Sequence, residues 1–292
     1  MSEHVDTGPV CVLGAGNMGG QIAHQTALYG FDVRLCSRSE ERLASARAES
    51  TKLLRRRVEK GRLDANACEE ALARVETTTD FEEAVRGARV IIESVAEDRE
   101  AKRGLFKRIS DDAEDDAIIG TNSSTLPSSL FEDCVRRPER LLNIHFFNPA
   151  LMMPLVEVVR GAHTSEETVH GAMSFARAIG KTPIRVERQT YGFLANRMLF
   201  IGLQEAFHLV QDGYVSIEAC DLAVRNALGW PMGPFELADL VGLDVVEAIL
   251  AEGARQTSNA QWAPPEILLQ HVAAGELGRK SGRGFLSYTA ST

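Results

Sequence analysis

A glycine-rich turn, GAGNMG at residues 14–19, directly follows the apolar run VCVL at residues 10–13. The residues after it continue as a helical pattern to residue 29, and a second β-type run covers residues 31–35. Strand, glycine turn, helix and strand form a βαβ unit, the building block of a doubly wound parallel sheet. We therefore predict an α/β fold that begins with a Rossmann-type doubly wound sheet domain.

The glycines of this turn fit the pattern GxGxxG, and each has a physical task. Gly14 permits the tight turn, Gly16 lets the backbone approach a pyrophosphate, and Gly19 lets the helix pack on the strand. The helix N-terminus would add N–H groups and a positive dipole. We predict a dinucleotide site here that includes Asn17 and Met18. The alternative is a tight turn that holds no ligand.

The choice of dinucleotide depends on the end of the second strand. Asp32 would suit the ribose of NAD, but it lies at the start of that strand, whereas ligands bind beyond the carboxyl ends. The carboxyl end carries Ser37 and Arg38. A hydroxyl and a guanidinium bind a 2′-phosphate, which a carboxylate would repel. We predict that NADP is preferred over NAD. The alternative is that Arg38 only stacks on the adenine and that either dinucleotide binds.

Further segments extend the sheet before the character of the chain changes. Further β-type runs cover residues 90–96, 117–121, 141–147 and 155–159. From residue 192 to residue 250 the pattern is helical, with breaks at Gly213 and at residues 229–234. We predict a dinucleotide-binding domain at residues 1–189 and an all-α domain at residues 190–292. A length of 292 residues fits one large domain or two domains of about 150 residues each.

Charge and cysteine content narrow the range of partners. Lysine and arginine number 32 against 41 acidic residues, a net charge of −9, which disfavours nucleic acid. Five cysteines without CxxC spacing predict neither disulfides nor a metal site. No apolar run reaches membrane-spanning length, and residues 1–9 lack the pattern of a secretory signal. We expect a cytoplasmic protein without membrane contact.

Two apolar segments each contain one ionisable residue. LLNIHFFNP at residues 141–149 holds His145, and PLVEVV at residues 154–159 holds Glu157. A buried glutamate is costly without a partner. Prolines lie between the two residues, so the chain can turn back and pair the strands. A carboxylate on one imidazole nitrogen fixes the tautomer, and the other nitrogen can then act as a general base.

The segment TNSST at residues 121–125 follows an apolar strand, at the edge where ligands bind. Its serine and asparagine suit recognition of a hydroxyl. The alternative is a helix N-cap, with Ser124 or Thr125 preceding Pro127. The residues alone do not decide between the two.

These motifs together resemble the 3-hydroxyacyl-CoA dehydrogenase family over nearly the whole chain. The matching segments are GAGNMG, ESVAED at 93–98, TNSST, HFFNPALMMPLVEVV at 145–159, YGFLANRML at 191–199, PMGPFELAD at 231–239 and GRKSGRGF at 278–285. The resemblance implies a place in fatty acid metabolism and a helical domain that forms a homodimer. It also implies an active site in the cleft between the domains.

The resemblance assigns roles to individual residues. His145 is similar to the general base, Glu157 to the acid that orients it, and Ser124 and Asn196 to residues that bind the substrate oxygen. Further residues match the nicotinamide side of the cofactor site, namely Glu97, Lys102, Asn122, Asn148 and, more weakly, Lys280. The implied reaction transfers hydride between the cofactor and the 3-hydroxyl or 3-keto group of a short-chain acyl thioester.

The chain departs from the family pattern in two places. Ser37 and Arg38 stand where the family has the acid that binds the NAD ribose. The usual DTPGF reads QTYGF here, with Gln189 and Tyr191. We expect the aromatic ring to lie near the cleft and to alter the acyl pocket.

A basic run, KLLRRRVEKGR at residues 52–62, interrupts the acidic chain. Lys52, Arg56 and Lys60 are candidates for binding the phosphates of CoA or the acidic face of an acyl carrier protein. The alternative is an ordinary solvated helix face.

Two other function classes remain open at this point. One is a dehydrogenase of a free hydroxy acid or sugar acid, which would not need the basic run. The other is a non-catalytic dinucleotide-binding protein, although the presence of all four candidate catalytic residues argues against it.

Overall fold

The computed structural model describes residues 8–288. Its contacts divide the chain into two compact units, with the division between Thr190 and Tyr191. In the described range, no helix is both long and apolar enough to cross a membrane.

The described part of the first unit, from residue 8 on, contains a single sheet with the strand order β3-β2-β1-β4-β5-β6-β7-β8. Neighbouring strands are parallel except for β6 and β7, which are antiparallel. The order reverses beside β1, which creates the crevice where ligands bind in such sheets. The strands are β1 (Val10–Leu13), β2 (Val33–Cys36), β3 (Val75–Thr78), β4 (Val90–Glu93), β5 (Ile118–Thr121), β6 (Leu141–Phe146), β7 (Leu155–Val159) and β8 (Thr182–Val186).

Helices cover both faces of this sheet. Alternate residues of β1 enter different cores: Val10 and Val12 pack with α1 and α6, whereas Cys11 and Leu13 pack with α5. This alternation follows from the two-residue period of a strand. The helices are α1 (Asn17–Ala27), α2 (Glu40–Glu59), α3 (Ala65–Ala73), α4 (Phe81–Val85), α5 (Arg99–Asp112) and α6 (Glu166–Ala178). The predicted doubly wound fold is confirmed.

Two strands, β3 and β8, were absent from the sequence prediction. Both are edge strands of the sheet. β3 has the sequence VETT and β8 the sequence TPIRV, and most of their residues are only partly buried or exposed. Edge strands need no continuous apolar run, and proline is tolerated in them. Hydrophobic patterning therefore gave no signal for either strand.

The second unit is helical, as predicted. Its core is built on large aromatic side chains, among them Phe207, Phe235, Trp262 and Phe285. Its helices are α7 (Ala195–Gln211), α8 (Ile217–Leu228), α9 (Pro234–Val241), α10 (Leu243–Thr257) and α11 (Glu266–Ala273).

Two buried carboxylates hold backbone segments of the second unit in place. Asp221 on α8 accepts the N–H groups of residues 235 and 236, at the start of α9. Asp239 on α9 accepts the N–H groups of residues 285 and 286 and the hydroxyl of Tyr288. These carboxylates fasten one helix to the next and the tail to α9.

Candidate active site

An ionisable pair lies between β6 and β7. His145 and Glu157 are register partners in this antiparallel pair, and Nδ1 of His145 lies 2.8 Å from Oε2 of Glu157. His145 is 2% exposed and Glu157 is 0% exposed. The strand pairing expected from the twelve-residue separation and the intervening prolines is therefore present.

The second imidazole nitrogen faces Ser124. Oγ of Ser124 lies 2.9 Å from Nε2 of His145. Because a carboxylate only accepts hydrogen bonds, the neutral ring carries its proton on Nδ1, and Nε2 accepts the proton of the Ser124 hydroxyl. A carboxylate-oriented imidazole whose other nitrogen meets a hydroxyl is an arrangement suited to general base chemistry.

Two asparagines fix the segment that carries Ser124. Asn122 accepts the N–H of Phe146 through Oδ1 at 2.9 Å, which ties the end of β5 to β6. Asn143 on β6 accepts the N–H of Ser128 and donates to the carbonyls of residues 123 and 126. Asn143 was not among the predicted site residues, although a polar residue inside the apolar run LLNIHF was a usable signal.

The alternative interpretation of this segment, a helix N-cap, is wrong. The next helical element is a single 3₁₀ turn at Ser128–Leu130, preceded by Pro127 with no side-chain cap. Ser123, not Ser124 or Thr125, accepts the N–H of residue 126. The hydroxyl of Ser124 is instead directed at the imidazole.

The glycine turn fits the pyrophosphate of a dinucleotide. Gly14 has φ +113°, and a Cβ there would lie 2.4 Å from the carbonyl oxygen of Ser94. A Cβ at Gly19 would lie 1.8 Å from the carbonyl oxygen of Gly14. At Gly16 a Cβ would meet no atom within 4 Å, so the space beside this residue is open. The N-terminus of α1 follows without an acidic residue in its first turn, which favours a phosphate there.

The end of β2 presents a hydroxyl and a guanidinium. Ser37 is half-buried and Arg38 is exposed. Burial raises the pKa of the neighbouring Cys36 thiol to about 11, so this thiol adds no negative charge at neutral pH. Asp32 precedes the strand, and its carboxylate lies 3.0 Å from the guanidinium of Arg74.

The backbone of Ser124 is also bonded to a network of charged residues, formed by Glu97, Lys102 and Glu93. Both carboxylate oxygens of Glu97 accept from Oγ of Ser123, at 2.8 and 2.7 Å, and Oε1 accepts the N–H of Ser124 at 3.1 Å. Nζ of Lys102 lies 3.5 Å from Glu97 and 2.6 Å from Glu93. Glu93 was not among the predicted site residues, although it is the one charged residue of the apolar strand VIIE.

The loop that joins β6 to β7, residues 147–154, is called the connecting loop below. Nδ2 of Asn17 donates to Oδ1 of Asn148 at 3.1 Å, so two predicted cofactor-binding residues meet. Oε1 of Gln21, also on α1, accepts the N–H of Leu151 at 3.3 Å. The connecting loop is therefore bonded to the helix that follows the glycine turn.

Two cations bind carbonyl groups of the same connecting loop. Arg57 on α2 donates to the carbonyl of Leu151 at 3.1 Å. Lys181 donates to the carbonyls of Ala150 and Met153 at 2.5 and 2.9 Å. Burial, together with the nearby Arg57 charge, lowers the pKa of Lys181 to about 8.

The basic run forms the second half of α2 and its C-terminal end. Lys52, Arg56 and Lys60 are exposed, whereas Arg57 points inward to the connecting loop. A shallow groove follows the exposed face and is lined by Ala44, Arg47, Ala48, Thr51, Lys52, Arg55, Arg56 and Glu59.

The remaining predicted residues belong to the second unit. Asn196 is the second residue of α7 and is half-buried. Lys280 forms an ion pair with Asp244 on α10. Their roles toward substrate and cofactor stay predictions.

Tyr191 packs in the core of the second unit. It is 8% exposed, lies edge-on to Trp262 with ring centroids 5.0 Å apart, and donates its hydroxyl to the carbonyl of Ile249 at 2.8 Å. This ring is a core residue of the second unit, and its effect on the acyl pocket stays a prediction. Gln189, like Ser128, belongs to the first unit, and it donates to Oγ of Ser128 at 2.7 Å.

Both parts of the chain match family models. Residues 9–190 match the model described as 3-hydroxyacyl-CoA dehydrogenase, NAD binding domain. Residues 192–288 match the model described as 3-hydroxyacyl-CoA dehydrogenase, C-terminal domain.

Individual proteins are similar over nearly their full length. The chain is 36% identical over 277 residues to a probable 3-hydroxybutyryl-CoA dehydrogenase of Deinococcus radiodurans, covering 95% of this chain and 99% of the relative. It is 36% identical over 283 residues to a probable 3-hydroxybutyryl-CoA dehydrogenase of Bacillus subtilis, covering 97% and 98%. The crystal structure of (S)-3-hydroxybutyryl-CoA dehydrogenase from Ralstonia eutropha is similar with a TM-score of 0.91 and 31% identity, covering 96% of this chain and 99% of that chain.

Proposed function

Because the chain belongs to the 3-hydroxyacyl-CoA dehydrogenase family, we propose that it interconverts the 3-hydroxyl and 3-keto groups of a short-chain acyl-CoA with a nicotinamide dinucleotide. The observation that carries this proposal is the contact series from Glu157 through His145 to Ser124 at the carboxyl edge of the sheet. The names of the relatives from Deinococcus radiodurans and Bacillus subtilis support a four-carbon acyl group.

The proposed reaction uses His145 for proton transfer. In the oxidative direction Nε2 of His145 takes the proton of the substrate hydroxyl, while Glu157 stabilises the imidazolium that forms. Ser124 binds the substrate oxygen and keeps it aligned with Nε2. When bound, a nicotinamide cofactor would supply the hydride acceptor for the oxidation and the hydride donor for the reverse reaction. We propose that Asn196 binds the same oxygen.

The cofactor is proposed to be NADP in preference to NAD. The open space at Gly16 and the N-terminus of α1 suit the pyrophosphate. Ser37 and Arg38 at the carboxyl end of β2 suit a 2′-phosphate. The carboxylate of Asp32 lies at the other end of this strand, where it pairs with Arg74. On the nicotinamide side, the residues proposed to hold the cofactor are Glu97, Asn122 and Asn148, with Lys280 from the second unit.

The exposed face of α2 is proposed to bind the phosphates of CoA. Lys52, Arg56 and Lys60 are exposed, and phosphate is attracted by such a cluster even in an acidic protein. Arg57 does not belong to this surface, because it donates to the connecting loop.

The test is an assay of acetoacetyl-CoA reduction, followed by the loss of reduced-cofactor absorbance, with NADPH and NADH in parallel. We expect a higher kcat/KM with NADPH. Ser37→Asp places a carboxylate beside the 2′-phosphate and should lower the NADPH/NADH ratio of kcat/KM by about tenfold or more. Retained turnover with NADH serves as the control for folding. A ratio that Ser37→Asp leaves unchanged would discard the phosphate site.

A second arm of the assay replaces acetoacetyl-CoA by the acetoacetyl thioester of N-acetylcysteamine, which has no phosphates. Combined replacement of Lys52, Arg56 and Lys60 by glutamine should raise KM for the CoA thioester only. Equal KM changes for both thioesters would contradict the role of α2. No turnover by the wild type with either thioester and either cofactor would overturn the proposed function. Carrier-protein thioesters and free hydroxy acids would then be the next substrates.

A further inference from the structure

The two faces of β6 differ in character. One face is apolar and packs in the core with α1 and α6: Leu142, Ile144 and Phe146. On the other face Asn143 precedes His145 by two residues, so the two side chains lie on the same side of the sheet. Asn143 is 0% exposed. This face of β6 is the one turned toward the segment that carries Ser124.

Asn143 uses both ends of its amide group to bind this segment. Its Oδ1 accepts the N–H of Ser128 at 2.8 Å. Its Nδ2 donates to the carbonyl of Ser123 at 3.3 Å and to the carbonyl of Leu126 at 3.2 Å. The three bonded groups belong to residues before and after Ser124 in the chain. A single side chain therefore fixes the course of the backbone on both sides of Ser124.

The peptide unit that leads into Ser124 is bonded at both of its ends. Its carbonyl, from Ser123, accepts from Asn143, and its N–H, from Ser124, donates to Oε1 of Glu97 at 3.1 Å. Because a peptide unit is planar, these two bonds fix its orientation and the direction in which the Ser124 side chain leaves the backbone. In that direction Oγ of Ser124 lies 2.9 Å from Nε2 of His145.

A strand that required only packing would be served by an apolar residue at this position, because a buried amide loses its water and regains little more than that in hydrogen bonds. All the bonds of the Asn143 amide that are described above go to the backbone around Ser124. We propose that Asn143 is a positioning residue, which sets the Ser124 hydroxyl against the His145 imidazole for the reaction. The inference rests on the proposed function, because it takes these two side chains as the reacting site.

The segment keeps other bonds when Asn143 is replaced by alanine. Asn122 still accepts the N–H of Phe146 through Oδ1, and Gln189 still donates to Oγ of Ser128 at 2.7 Å. Both ends of the segment thus stay attached, and we expect Asn143→Ala to fold and to lose order around Ser124. Asn143→Ser is a milder variant, because a hydroxyl can keep part of the bonding.

The test is a double-mutant cycle of Asn143→Ala and Ser124→Ala. The kcat for acetoacetyl-CoA reduction is measured at saturating substrate and cofactor, so that weaker binding of either does not enter the comparison. Hydrogen exchange of peptides that cover residues 122–130 is followed by mass spectrometry. Thr164→Val is the matched control, because Thr164 is buried and donates its hydroxyl to the carbonyl of Leu141, at the other end of β6.

We expect Asn143→Ala to lower kcat by about 10- to 30-fold and to accelerate exchange in residues 122–130 by about tenfold. In the Ser124→Ala background the same replacement should lower kcat by less than about twofold, because the group that Asn143 positions is already absent. Asn143→Ser should lie between wild type and Asn143→Ala in both quantities. Thr164→Val should leave kcat and the exchange of this segment unchanged.

Unchanged kcat or unchanged exchange in Asn143→Ala would overturn the proposal. Equal losses of kcat in the two backgrounds would also overturn it, because Asn143 would then act through another group, such as the imidazole or a cofactor contact. If Asn143→Ala does not fold, the cycle with Asn143→Ser is decided by the same comparison of backgrounds. An inactive wild type would end the proposed function and this inference together, whereas an active wild type with equal losses would end this inference alone.

Discussion

Among residues 8–288, each of the two units buries two carboxylates, but these carboxylates bind different kinds of groups. In the first unit Glu157 accepts from the imidazole of His145, and Glu93 accepts from the ammonium of Lys102. Both lie on strands of the sheet, at or next to the edge where Ser124 is found. Their partners are side chains that can gain or lose a proton.

In the second unit Asp221 and Asp239 accept backbone N–H groups, and Asp239 also accepts a tyrosine hydroxyl. Burial raises the pKa of Asp221, although the two backbone N–H groups oppose this effect. These carboxylates join consecutive segments of chain. Burial alone therefore does not distinguish a carboxylate with a catalytic role from one that stabilises the fold. The group that the carboxylate binds is the better guide.

The largest expected effect is a loss of kcat, and it tests the role of the carboxylate–imidazole pair in the first unit. His145→Gln removes the proton acceptor, so kcat should fall by about 10²- to 10⁴-fold, while Tm and cofactor Kd stay near the wild-type values. His170→Gln, on the exposed surface of α6, is the control. A His145→Gln enzyme with kcat within tenfold of wild type would contradict the assignment of the base.

An intermediate effect is expected in the second unit. Asp239→Ala leaves buried N–H groups without their acceptor, so the free energy of unfolding in urea should fall by about 2–4 kcal/mol. The kcat of the molecules that remain folded should be unchanged. Asp212→Ala, at an exposed position after α7, should change neither quantity. A loss of kcat without a loss of stability in Asp239→Ala would remove the distinction between the two units.

The smallest expected effect is a change with pH in the stability contributed by Lys181. This buried residue of the first unit binds, among the described contacts, only the backbone carbonyls of residues 150 and 153. The pKa of Lys181 is about 8 in the folded chain, against about 10.4 in an unfolded chain. Between these values the unfolded chain binds more protons, so stability relative to Lys181→Met should rise with pH. From pH 7 to pH 9 the expected rise is about 1 kcal/mol, measured by urea unfolding. A difference that does not change with pH would contradict this prediction.

The sequence predicted the structure best at positions where the fold and the chemistry of the site require the same type of residue. The spacing of Gly14, Gly16 and Gly19 predicted the turn; Gly14 and Gly19 have steric reasons in the structure, and the space beside Gly16 is open. The pairing of His145 with Glu157 was predictable because two charged residues on apolar strands each need a partner. The carboxyl end of β2 was also located correctly, because the direction of a parallel strand determines which of its ends faces a ligand.

Contacts between segments distant in the chain were not predictable in this way. Glu93 ends its strand like any polar residue, and only the packing of α5 brings Lys102 to it. Tyr191 lies close to the predicted boundary between the two domains, yet Trp262, 71 positions further on, packs edge-on against its ring. Hydrophobic periodicity predicts which face of a helix or strand is buried, but it does not predict which side chain that face contacts.

The inward direction of Arg57 has a consequence for protein engineering. Arg56 and Arg57 are neighbours in sequence, yet one is exposed while the other is bonded to Leu151 in the connecting loop. A library that varies positions 52, 56 and 60 explores a surface without disturbing the strands that carry His145 and Glu157. Randomising position 57 in the same library would mix altered recognition with altered loop geometry, and the two contributions would no longer be separable.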